Sequence, residues 1–575
     1  MASLSVAAAL PRWRWRRLQP STVGGTLLLL LLGLAIVYPV SLILIQSFDV
    51  ADPGQPHAWS VQGWQSALSE PLLRSSLLNT LTLTFVKQII TLPLAVAIAW
   101  LLARTDLPGR HWLEFGFWVA FFLPPLTVTQ AWLLLADSHY GLLNQFIAGA
   151  FGVRQGPFNI YSFWGLVWVD VVTGSFIVKV ILLTPAFRYM NSTFEEASRI
   201  VGAGSLRTIL RITVPILLPT ILVVLLLGMM ASLQSFEIEQ VLGTPFRFFV
   251  FSTMIYNLVE SSHPSYAPAA ALAIIILVAA LVLVWAQFRM TGRRQFTTVT
   301  GQFKNQLVLL GMWRWPLFGV LLLVMLVVLV IPVVLTVAGT FMTAFGFLNI
   351  AHPWTLDNWG TAFRDPQFLR SLGNTLQLAI GSAVLGMGLY ALIAYMVVRS
   401  RFALRRGLDV TSWLPFTVPG LILSLAMLSL FLGVAPLRAM YGTIWILILT
   451  AVLTSMPLGV QILKGGLLQL GAELEEASRV VGGSWLVTFR RIVLRLLGPS
   501  MLTVGLIVFV GAARNVSYVS LLSTTTNQPL SMLQLNYLAE GKNEIASVIA
   551  FIVMLTCVGG ACIARAAGFR GAASI

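Results

Sequence analysis

The sequence predicts an all-α integral membrane protein with twelve transmembrane helices, arranged as two parallel repeats of six helices. Three observations lead to this fold class. The 575 residues are 58% hydrophobic and only 10% charged, with a mean hydropathy of +0.88. A soluble protein cannot bury so much apolar surface, so the lipid bilayer must act as its solvent. Long apolar runs alternate with short polar loops, and several short segments occur twice along the chain.

Each predicted span is a run of about 17 to 25 mainly apolar residues, which is enough to cross the hydrocarbon core as a helix. The first six spans lie near 24–48, 76–102, 112–135, 161–185, 213–233 and 266–288. The second six lie near 315–343, 372–398, 411–434, 441–463, 498–513 and 545–564. Prolines inside these runs, such as Pro39 and Pro332, are tolerated because neighbouring segments can satisfy the freed backbone groups.

The second half of the chain repeats segments of the first half. Ser76–Leu81 reads SLLNTL, and Ser371–Leu376 reads SLGNTL at an offset of 295 residues. Leu123-Pro124 likewise has a counterpart in Leu414-Pro415. The offset falls to 280 further along because the first half has a longer outer loop, at about 136–160. Since each half has an even number of spans, both halves enter the membrane in the same direction.

These repeats divide the chain into four parts. We predict an N-terminal arm at 1–23, a first repeat at 24–300, a linker at 301–314 and a second repeat at 315–575. The first apolar run is too long for the core of a signal peptide, so we expect a membrane anchor there. Most of the 36 lysines and arginines fall in inner loops if the N-terminus is cytoplasmic, which is the orientation that we predict.

The net charge of +16 and the isoelectric point near 10.5 reflect this loop bias, so no nucleic-acid partner is expected. Cys557 and Cys562 lie in the last apolar run, where cysteines pack as small hydrophobic residues. The five histidines are scattered without the spacing of metal ligands. We therefore predict no metal site, and no constellation of catalytic residues is present.

One polar motif occurs twice, between the fourth and fifth predicted spans of each half. Glu195–Gly202 reads EEASRIVG, and Glu475–Gly482 reads EEASRVVG. On a helix, Glu195 and Arg199 are four residues apart and placed to form an ion pair, and the second copy has the same spacing. The final glycine of each copy allows a sharp exit from the helix. Because such a polar motif is not needed to hold a membrane bundle together, we expect a partner outside the membrane to contact both copies.

The motif resembles the signature of the permease subunits of binding-protein-dependent ABC importers. That signature is Glu-Ala-Ala, then glycine after three residues, then Ile-x-Leu-Pro after nine more. The first copy fits it with Glu196-Ala197-Ser198, Gly202, Ile212 and Val214-Pro215. The second copy fits with Glu476-Ala477-Ser478, Gly482, Ile492 and Leu494, but Arg495 replaces the usual proline. Two matches, both after a fourth span, make the resemblance specific.

The resemblance implies the type I ABC importer permease fold, in which the element that carries the motif is a coupling helix bound by the ATPase. We expect coupling helices at about 191–212 and 471–492. The resemblance assigns ATPase contact to Glu195, Glu196, Ala197, Arg199, Gly202, Glu475, Glu476, Ala477, Arg479 and Gly482.

The chain itself has no phosphate-binding loop, because the sequence around Gly541-Lys542 lacks both the first glycine and the hydroxyl residue of that motif. We therefore expect two separate ABC ATPase subunits that bind ATP-Mg, with no cofactor and no enzymatic activity in this chain. The resemblance further implies a periplasmic binding protein as partner and a multi-pass location in the bacterial inner membrane.

A single chain with both permease halves is most similar to the ferric-iron type, and this similarity spans nearly the whole sequence. Supporting segments are Ser235–Ile238, Val241–Gly243, Arg293–Gly301 and Arg514–Ser517. The expected function is therefore import of ferric iron by alternating access. Fused permeases for thiamine and 2-aminoethylphosphonate share this layout and remain alternatives. A secondary transporter with six plus six spans is a remoter alternative, because it would leave both polar motifs without a role.

Four charged residues at membrane depth are candidates for the pathway or a gate. Lys87 falls in the second predicted span and Asp170 in the fourth. Either one can equally be a paired structural residue, and Lys87 can also extend to the interface. Glu237 and Arg514 follow or end the fifth span of each half, which lines the pathway in the family. We predict that they form an ion pair that closes the outer gate, with ordinary loop solvation as the alternative.

Overall fold

The computed structural model describes residues 20–51, 55–153, 156–191, 193–292, 307–400, 402–471 and 473–566. Within these residues the protein is almost entirely helical, and its only β structure is three isolated bridges. The expected all-α class is therefore confirmed. Most of the predicted N-terminal arm and the first part of the predicted linker lie outside the described residues.

The helices differ widely in length, and several contain a π-helical turn. In the N-terminal part they are Pro20–Gln46, Gln62–Ser69, Pro71–Arg104, Arg110–Phe122, Pro125–Ala136, Leu142–Phe151, Phe163–Asp170, Phe176–Arg188, Thr193–Ile200, Ser205–Thr208, Val214–Leu233, Phe251–Glu260 and Tyr266–Gly292. In the C-terminal part they are Arg314–Met325, Ile331–Thr340, Asp357–Arg364, Pro366–Val398, Arg405–Thr417, Gly420–Gly433, Ile444–Gln469, Glu473–Val480, Trp485–Thr488, Leu494–Leu496, Gly498–Arg514, Leu530–Ala539 and Asn543–Ala566. The π-helical turns are Val171–Ser175, Ile209–Thr213, Glu239–Gly243, Leu326–Val330 and Phe489–Val493.

Nine helices of the described chain are long and apolar enough to cross a membrane, and the number is up to twelve if each of three bent pairs is one span. Two of these pairs lie at the predicted spans 112–135 and 411–434. The first bends by 97° between Phe122 and Pro125, and the second by 106° between Thr417 and Gly420. Prolines cause both breaks, because a proline nitrogen cannot donate the backbone hydrogen bond that would continue the helix.

The third bent pair has a counterpart that is straight. Trp485–Leu496 and Gly498–Arg514 meet at 76°, whereas Ile209–Leu233 in the N-terminal part counts as one span. The bend lies just after Arg495, the position where the repeated motif departs from the expected proline. Gly498 and Pro499 begin the second helix of the pair, and a proline is well accommodated in the first turn of a helix.

The first long helix of each part packs against the bent pair of the other part. Pro20–Gln46 contacts Arg405–Thr417 and Gly420–Gly433. The long apolar span of the other part is Gly311–Thr340, and its last helix, Ile331–Thr340, contacts Pro125–Ala136. The two parts of the chain are thus interlocked, and they do not form separate bundles side by side.

The core between the helices is apolar and closely packed. Phe117 and Phe176 are buried in the N-terminal part, with their rings edge to face at a centroid distance of 5.8 Å. In the C-terminal part, Tyr390 is buried and its hydroxyl donates a hydrogen bond to the carbonyl oxygen of Val452. Large apolar side chains such as Leu30 and Ile89 are exposed on the outer faces of long helices, as surfaces that face lipid require.

Candidate coupling and pathway site

Two eight-residue helices carry the repeated motif, Thr193–Ile200 and Glu473–Val480, and we call them the motif helices. Each follows a long apolar helix and leads into a sharp turn. Acidic residues occupy the first turn of both motif helices, where they interact favourably with the helix dipole.

The first glutamate of each motif points inward and anchors the motif helix to the bundle. Glu195 is buried, with its Oε2 2.5 Å from Arg104 NH2 and its Oε1 accepting a hydrogen bond of 2.9 Å from the Thr213 hydroxyl. Arg104 is fully buried at the end of the Pro71–Arg104 helix and also donates to the Met190 carbonyl oxygen at 3.1 Å. Removing water from two charges is costly, so such a pair holds only with additional hydrogen bonds.

The second motif helix is anchored in the same way by a different set of side chains. Glu475 is buried, with its Oε1 3.1 Å from Arg399 Nε, and its Oε2 accepts a hydrogen bond of 3.0 Å from the Tyr395 hydroxyl. Arg399 donates to the carbonyl oxygens of Leu467 and Leu470. Arg104 and Arg399 are 295 positions apart, which is the offset of the repeated SLLNTL and SLGNTL segments.

Arg104 is a partner of Glu195 that the spacing within the motif did not predict. Arg399 is the corresponding partner of Glu475. The pairing of each glutamate with the arginine four residues further along its own helix stays a prediction. The side chains of Arg199 and Arg479 lie outside the described residues.

The opposite side of each motif helix is exposed and largely apolar. Ile200 and Val201 are each 87% exposed, and Val480 and Val481 are 86% and 88% exposed. Other residues on these outer surfaces are Ala197, Ala477 and Glu476, all exposed, and Glu196, which is half-buried. A contiguous exposed apolar patch on a helix tip is a typical protein–protein contact. The motif thus divides into residues that hold the helix and residues that face outward.

Both motif helices end at a glycine in the left-handed backbone conformation. Gly202 has a φ of 84° and Gly482 a φ of 82°, values that L side chains rarely adopt. Just before the turn, the hydroxyl of Ser198 lies 2.9 Å from that of Thr208, and Ser478 lies 2.8 Å from Thr488. The glycine turn and the hydroxyl pair together fold the chain back toward the next helix.

The predicted ion pair between Glu237 and Arg514 is not formed, although both residues lie in the described part of the chain. Glu237 Oε1 accepts a hydrogen bond of 2.9 Å from the backbone N–H of Val516. Arg514 donates to the carbonyl oxygens of Phe121 and Leu123, at 2.5 and 3.1 Å, and lies over the Phe121 ring. The repeat offset of 280 residues predicted that the two side chains lie near each other. Instead, each side chain forms hydrogen bonds with backbone groups.

These contacts cross between the two parts of the chain at corresponding places. Gln234, which lies 280 positions before Arg514, donates to the carbonyl oxygen of Phe416 at 3.3 Å. Phe416 lies 295 positions after Phe121, the residue that Arg514 contacts. The breaks of the two bent pairs have this same offset, whereas the predicted match of Leu123-Pro124 with Leu414-Pro415 has an offset of 291. Each long helix therefore ends on the bent pair of the other part. Glu237 adds a further contact between the parts. Burial raises the pKa of its carboxyl group to about 7, although the Val516 N–H and the charge of Arg514 lower this pKa.

Lys87 and Asp170, the other two candidates, form one buried charge cluster together with Glu239. Lys87 Nζ lies 2.7 Å from Asp170 Oδ2 and 3.1 Å from Glu239 Oε1. The hydroxyl of Ser235 donates to the other oxygen of Glu239 at 2.7 Å. A second lysine, Lys179, lies nearby and donates to the Thr91 hydroxyl at 2.8 Å and to the Ser175 carbonyl at 3.0 Å. Lys87 is thus a paired buried residue and does not extend to the interface.

Comparison with known proteins places these features in a family. Residues 388–569 match the family described as the binding-protein-dependent transport system inner membrane component. The molybdenum transport system permease protein ModB of Escherichia coli is 30% identical over 169 residues, covering 29% of this chain and 71% of the relative. The chain belongs to this family of inner membrane transport components. It is a permease subunit of an ABC importer.

Two relatives match the permease over most of its length. The ferric transport system permease protein FbpB of Actinobacillus pleuropneumoniae is 27% identical over 93% of this chain and 77% of the relative. The Fe(3+)-transport system permease protein FbpB 2 of Haemophilus influenzae is 20% identical over 92% of this chain and 95% of the relative. A crystal structure of a bacterial ABC transporter that imports alginate aligns with a TM-score of 0.40 and 20% identity, over 48% of this chain and 96% of that one.

Sequence reasoning missed four charged residues that the permease uses. Arg104 and Arg399 anchor the motif helices, and their equal offset from the repeated segments was a signal that could have found them. Glu239 and Lys179 complete the buried cluster, and both lie at membrane depth, where any charge is a candidate. Within the residues that the structure describes, the permease has no group of three or more His, Cys, Asp or Glu side chains that could hold a metal ion.

Proposed function

We propose that this permease is the membrane-spanning part of an ATP-driven importer for ferric iron. In this proposal a periplasmic binding protein delivers the iron, and the permease passes it to the cytoplasm by alternating access. Support for iron comes from the two relatives named as ferric transport permeases, which align over 93% and 92% of this chain. The molybdenum relative aligns over only 29%.

The chain is proposed to supply both halves of the transmembrane pathway, as twelve spans in two parallel repeats at 24–300 and 315–575. Paired contacts support this view. The backbone N–H of Phe251 donates to the Thr80 hydroxyl at 2.9 Å, and that of Leu530 donates to the Thr375 hydroxyl at 2.8 Å. These two hydrogen bonds and the two anchored motif helices lie at matching positions in the two halves.

Each motif helix is proposed to be a coupling helix that docks on one ABC ATPase subunit, on the cytoplasmic side. The observation that carries this proposal is the pair of exposed apolar tips, Ile200-Val201 and Val480-Val481, on helices whose buried glutamates fix them to the bundle. A rigid helix with an exposed apolar tip can transmit the movement of a partner into the membrane. The N-terminus is then also cytoplasmic, and ATP-Mg binds to the partner subunits.

Residues at the contacts between the two parts are proposed to line or control the pathway, since alternating access requires these contacts to change. Glu237 and Arg514 lie there, each bound to the backbone of the opposite part. Lys87 is paired with both Asp170 and Glu239 inside the first half.

Reconstituted transport tests the proposal. The permease would be co-expressed with an ABC ATPase and a periplasmic binding protein from the same organism, and placed in proteoliposomes with ATP inside. Uptake of ferric iron from the loaded binding protein, abolished when the ATPase is omitted, is the expected result. Uptake of thiamine or 2-aminoethylphosphonate but not of iron would overturn the assignment of iron as the substrate. Uptake that does not require the ATPase would overturn the assignment to the ABC importers.

A further inference from the structure

The buried charge cluster in the N-terminal half joins three parts of the chain that are distant in sequence. Lys87 lies mid-way along the Pro71–Arg104 helix, and Asp170 ends the Phe163–Asp170 helix just before a π-helical turn. Glu239 begins the π-helical turn after the Val214–Leu233 helix. All three side chains are nearly inaccessible, with exposures of 1%, 5% and 1%.

The segment that the cluster holds is the one that crosses to the other half. We define the crossing loop as residues 234–243, which contains Gln234, Glu237 and Glu239. Gln234 bonds the Phe416 carbonyl oxygen, and Glu237 accepts from the Val516 N–H. Ser235 and Glu239, on the same loop, are tied back into their own half, since the Ser235 hydroxyl donates to Glu239 and Glu239 contacts Lys87.

The second half has no such cluster at the corresponding positions. At an offset of 295, the residue that corresponds to Lys87 is Ser382. At an offset of 280, Gly459 corresponds to Lys179 and Val519 to Glu239. The Ile444–Gln469 helix, which corresponds to the one that ends at Asp170, contains no carboxylate. The space beside Gly459 is filled by the ring of Tyr390. The counterparts of Lys87 and Glu239 thus carry no charge, and an aromatic ring lies beside the counterpart of Lys179.

We infer that Lys87, Asp170 and Glu239 are positioning residues that clamp the crossing loop of the first half, so that the loop of the second half, 514–523, is the more mobile of the two. A buried ionic contact is directional and needs specific partners, whereas an apolar contact tolerates sliding. The proposal predicts that the two halves contribute unequally when the pathway opens. That functional consequence rests on the proposed transport function, but the clamp itself does not.

Charge balance allows the clamp to be removed without leaving an unpaired charge. Lys87 contacts both carboxylates, whereas Lys179 donates to Thr91 and Ser175. Lys87→Met leaves two buried carboxylates without this cation and should lower the thermal stability and the yield of the complex. Ser235→Ala with Glu239→Leu keeps Lys87 paired with Asp170, so this double variant should retain most of the stability while the clamp is absent.

Hydrogen exchange of the intact complex in lipid nanodiscs is the measurement that tests the clamp. In the unaltered protein, residues 234–243 should exchange more slowly than residues 514–523. In the double variant, exchange at 234–243 should become about tenfold faster or more, because local opening no longer breaks a buried contact. ATP hydrolysis in the absence of the binding protein should rise severalfold in the same variant.

A matched control removes an ion pair that does not touch the crossing loop. Asp409 Oδ2 lies 2.6 Å from Lys464 Nζ in the second half, and Asp409→Asn with Lys464→Met should leave exchange at 234–243 unchanged. Ser235→Ala removes only the hydroxyl bond to Glu239 and gives a milder version of the test in a chain that folds.

Two results would overturn the inference. One is a stable double variant whose crossing loop exchanges as slowly as in the unaltered protein, which would make the cluster a structural feature only. The other is unchanged exchange in Ser235→Ala. Neither result depends on the substrate or on the ATPase, so a failure of the clamp is distinguishable from a failure of the proposed transport function.

Discussion

At the scale of single residues, the two adjacent glutamates of each motif have different tasks. Glu195 and Glu475 are buried and paired with arginines, while Glu476 faces outward and Glu196 is half-buried. Substitution of the inner glutamate should therefore loosen the motif helix, and substitution of the outer one should alter its outer surface.

Glu195→Ala tests whether the buried glutamate anchors the motif helix. It deprives buried Arg104 of its carboxylate partner, a change that typically costs about 3–5 kcal/mol of stability. We expect a lower unfolding temperature of the complex together with weaker retention of the ATPase. The double variant Glu195→Ala with Arg104→Met should recover part of the stability, which a double-mutant cycle measures. Additive losses would show that the two side chains do not interact.

Glu237 gives a prediction for pH. Burial raises its carboxyl pKa from the ordinary value of 4.5 to about 7, so the folded protein holds this proton more tightly than the unfolded chain does. The contribution of Glu237 to stability is then greatest below pH 4.5 and falls as the pH rises to about 7. Unfolding temperatures between pH 5 and 8 should decline less steeply in Glu237→Gln. Identical slopes in both proteins would contradict the burial effect.

Residue roles could be predicted only where the sequence repeats them. The two motifs, their position between apolar runs and the turn glycines were all readable from the chain. The partners were not, because Arg104 is 91 positions from Glu195 and Arg514 bonds carbonyl oxygens almost 400 positions away. Side-chain spacing predicts contacts within one helix, whereas these contacts depend on how distant helices meet.

At the scale of elements, the sharp turn after each motif helix depends on a single glycine. Gly202→Val places a β-branched residue at a φ of 84°, at a cost of about 1–2 kcal/mol. We expect the motif helix to exit in a different direction, so that ATP hydrolysis continues but transport falls. Coupled assays of hydrolysis and uptake measure both quantities.

Gly204 is the matched control for this turn. Its φ lies outside the left-handed range, and nothing lies within 4 Å of a Cβ added there. Gly204→Ala should therefore leave coupling intact. Equal loss of transport in Gly202→Val and Gly204→Ala would show that the loop tolerates no change at either position. The effect at Gly202 would then not depend on its backbone conformation.

The exposed tips of the two motif helices can be compared directly. Val201→Asp and Val481→Asp each place a charge in an apolar patch that is almost fully exposed, so the stability of the isolated permease should hardly change. Binding of the ATPase should weaken for both, because the charge is buried on docking. Co-purification of the ATPase with each variant checks this, and full retention by both variants would exclude these tips from the contact.

The positions of the long helices could be predicted from the sequence, but their bends could not. Apolar length placed the long helices well, since most of the predicted spans overlap an observed helix. Apolar length could not predict that two spans bend by 97° and 106°. A run of apolar residues reports burial in lipid or protein, whereas the direction of a helix after a proline depends on the neighbours that receive the freed backbone groups.

At the scale of the whole molecule, one chain is proposed to supply both coupling helices. The interlocked first helices and the reciprocal contacts of Gln234 and Arg514 join the N-terminal and C-terminal parts into one body. We propose that a molecule built in this way completes the pathway without a second copy of itself. In this proposal two ATPase subunits bind, one at each motif helix.

The stoichiometry of the assembled transporter tests this claim most directly. The permease would be purified with its ATPase in detergent, and the mass of the intact complex measured by native mass spectrometry. We expect one 62.9 kDa permease chain with two ATPase subunits. Two permease chains for each pair of ATPase subunits would contradict it, because the second motif helix of each chain would then have no partner.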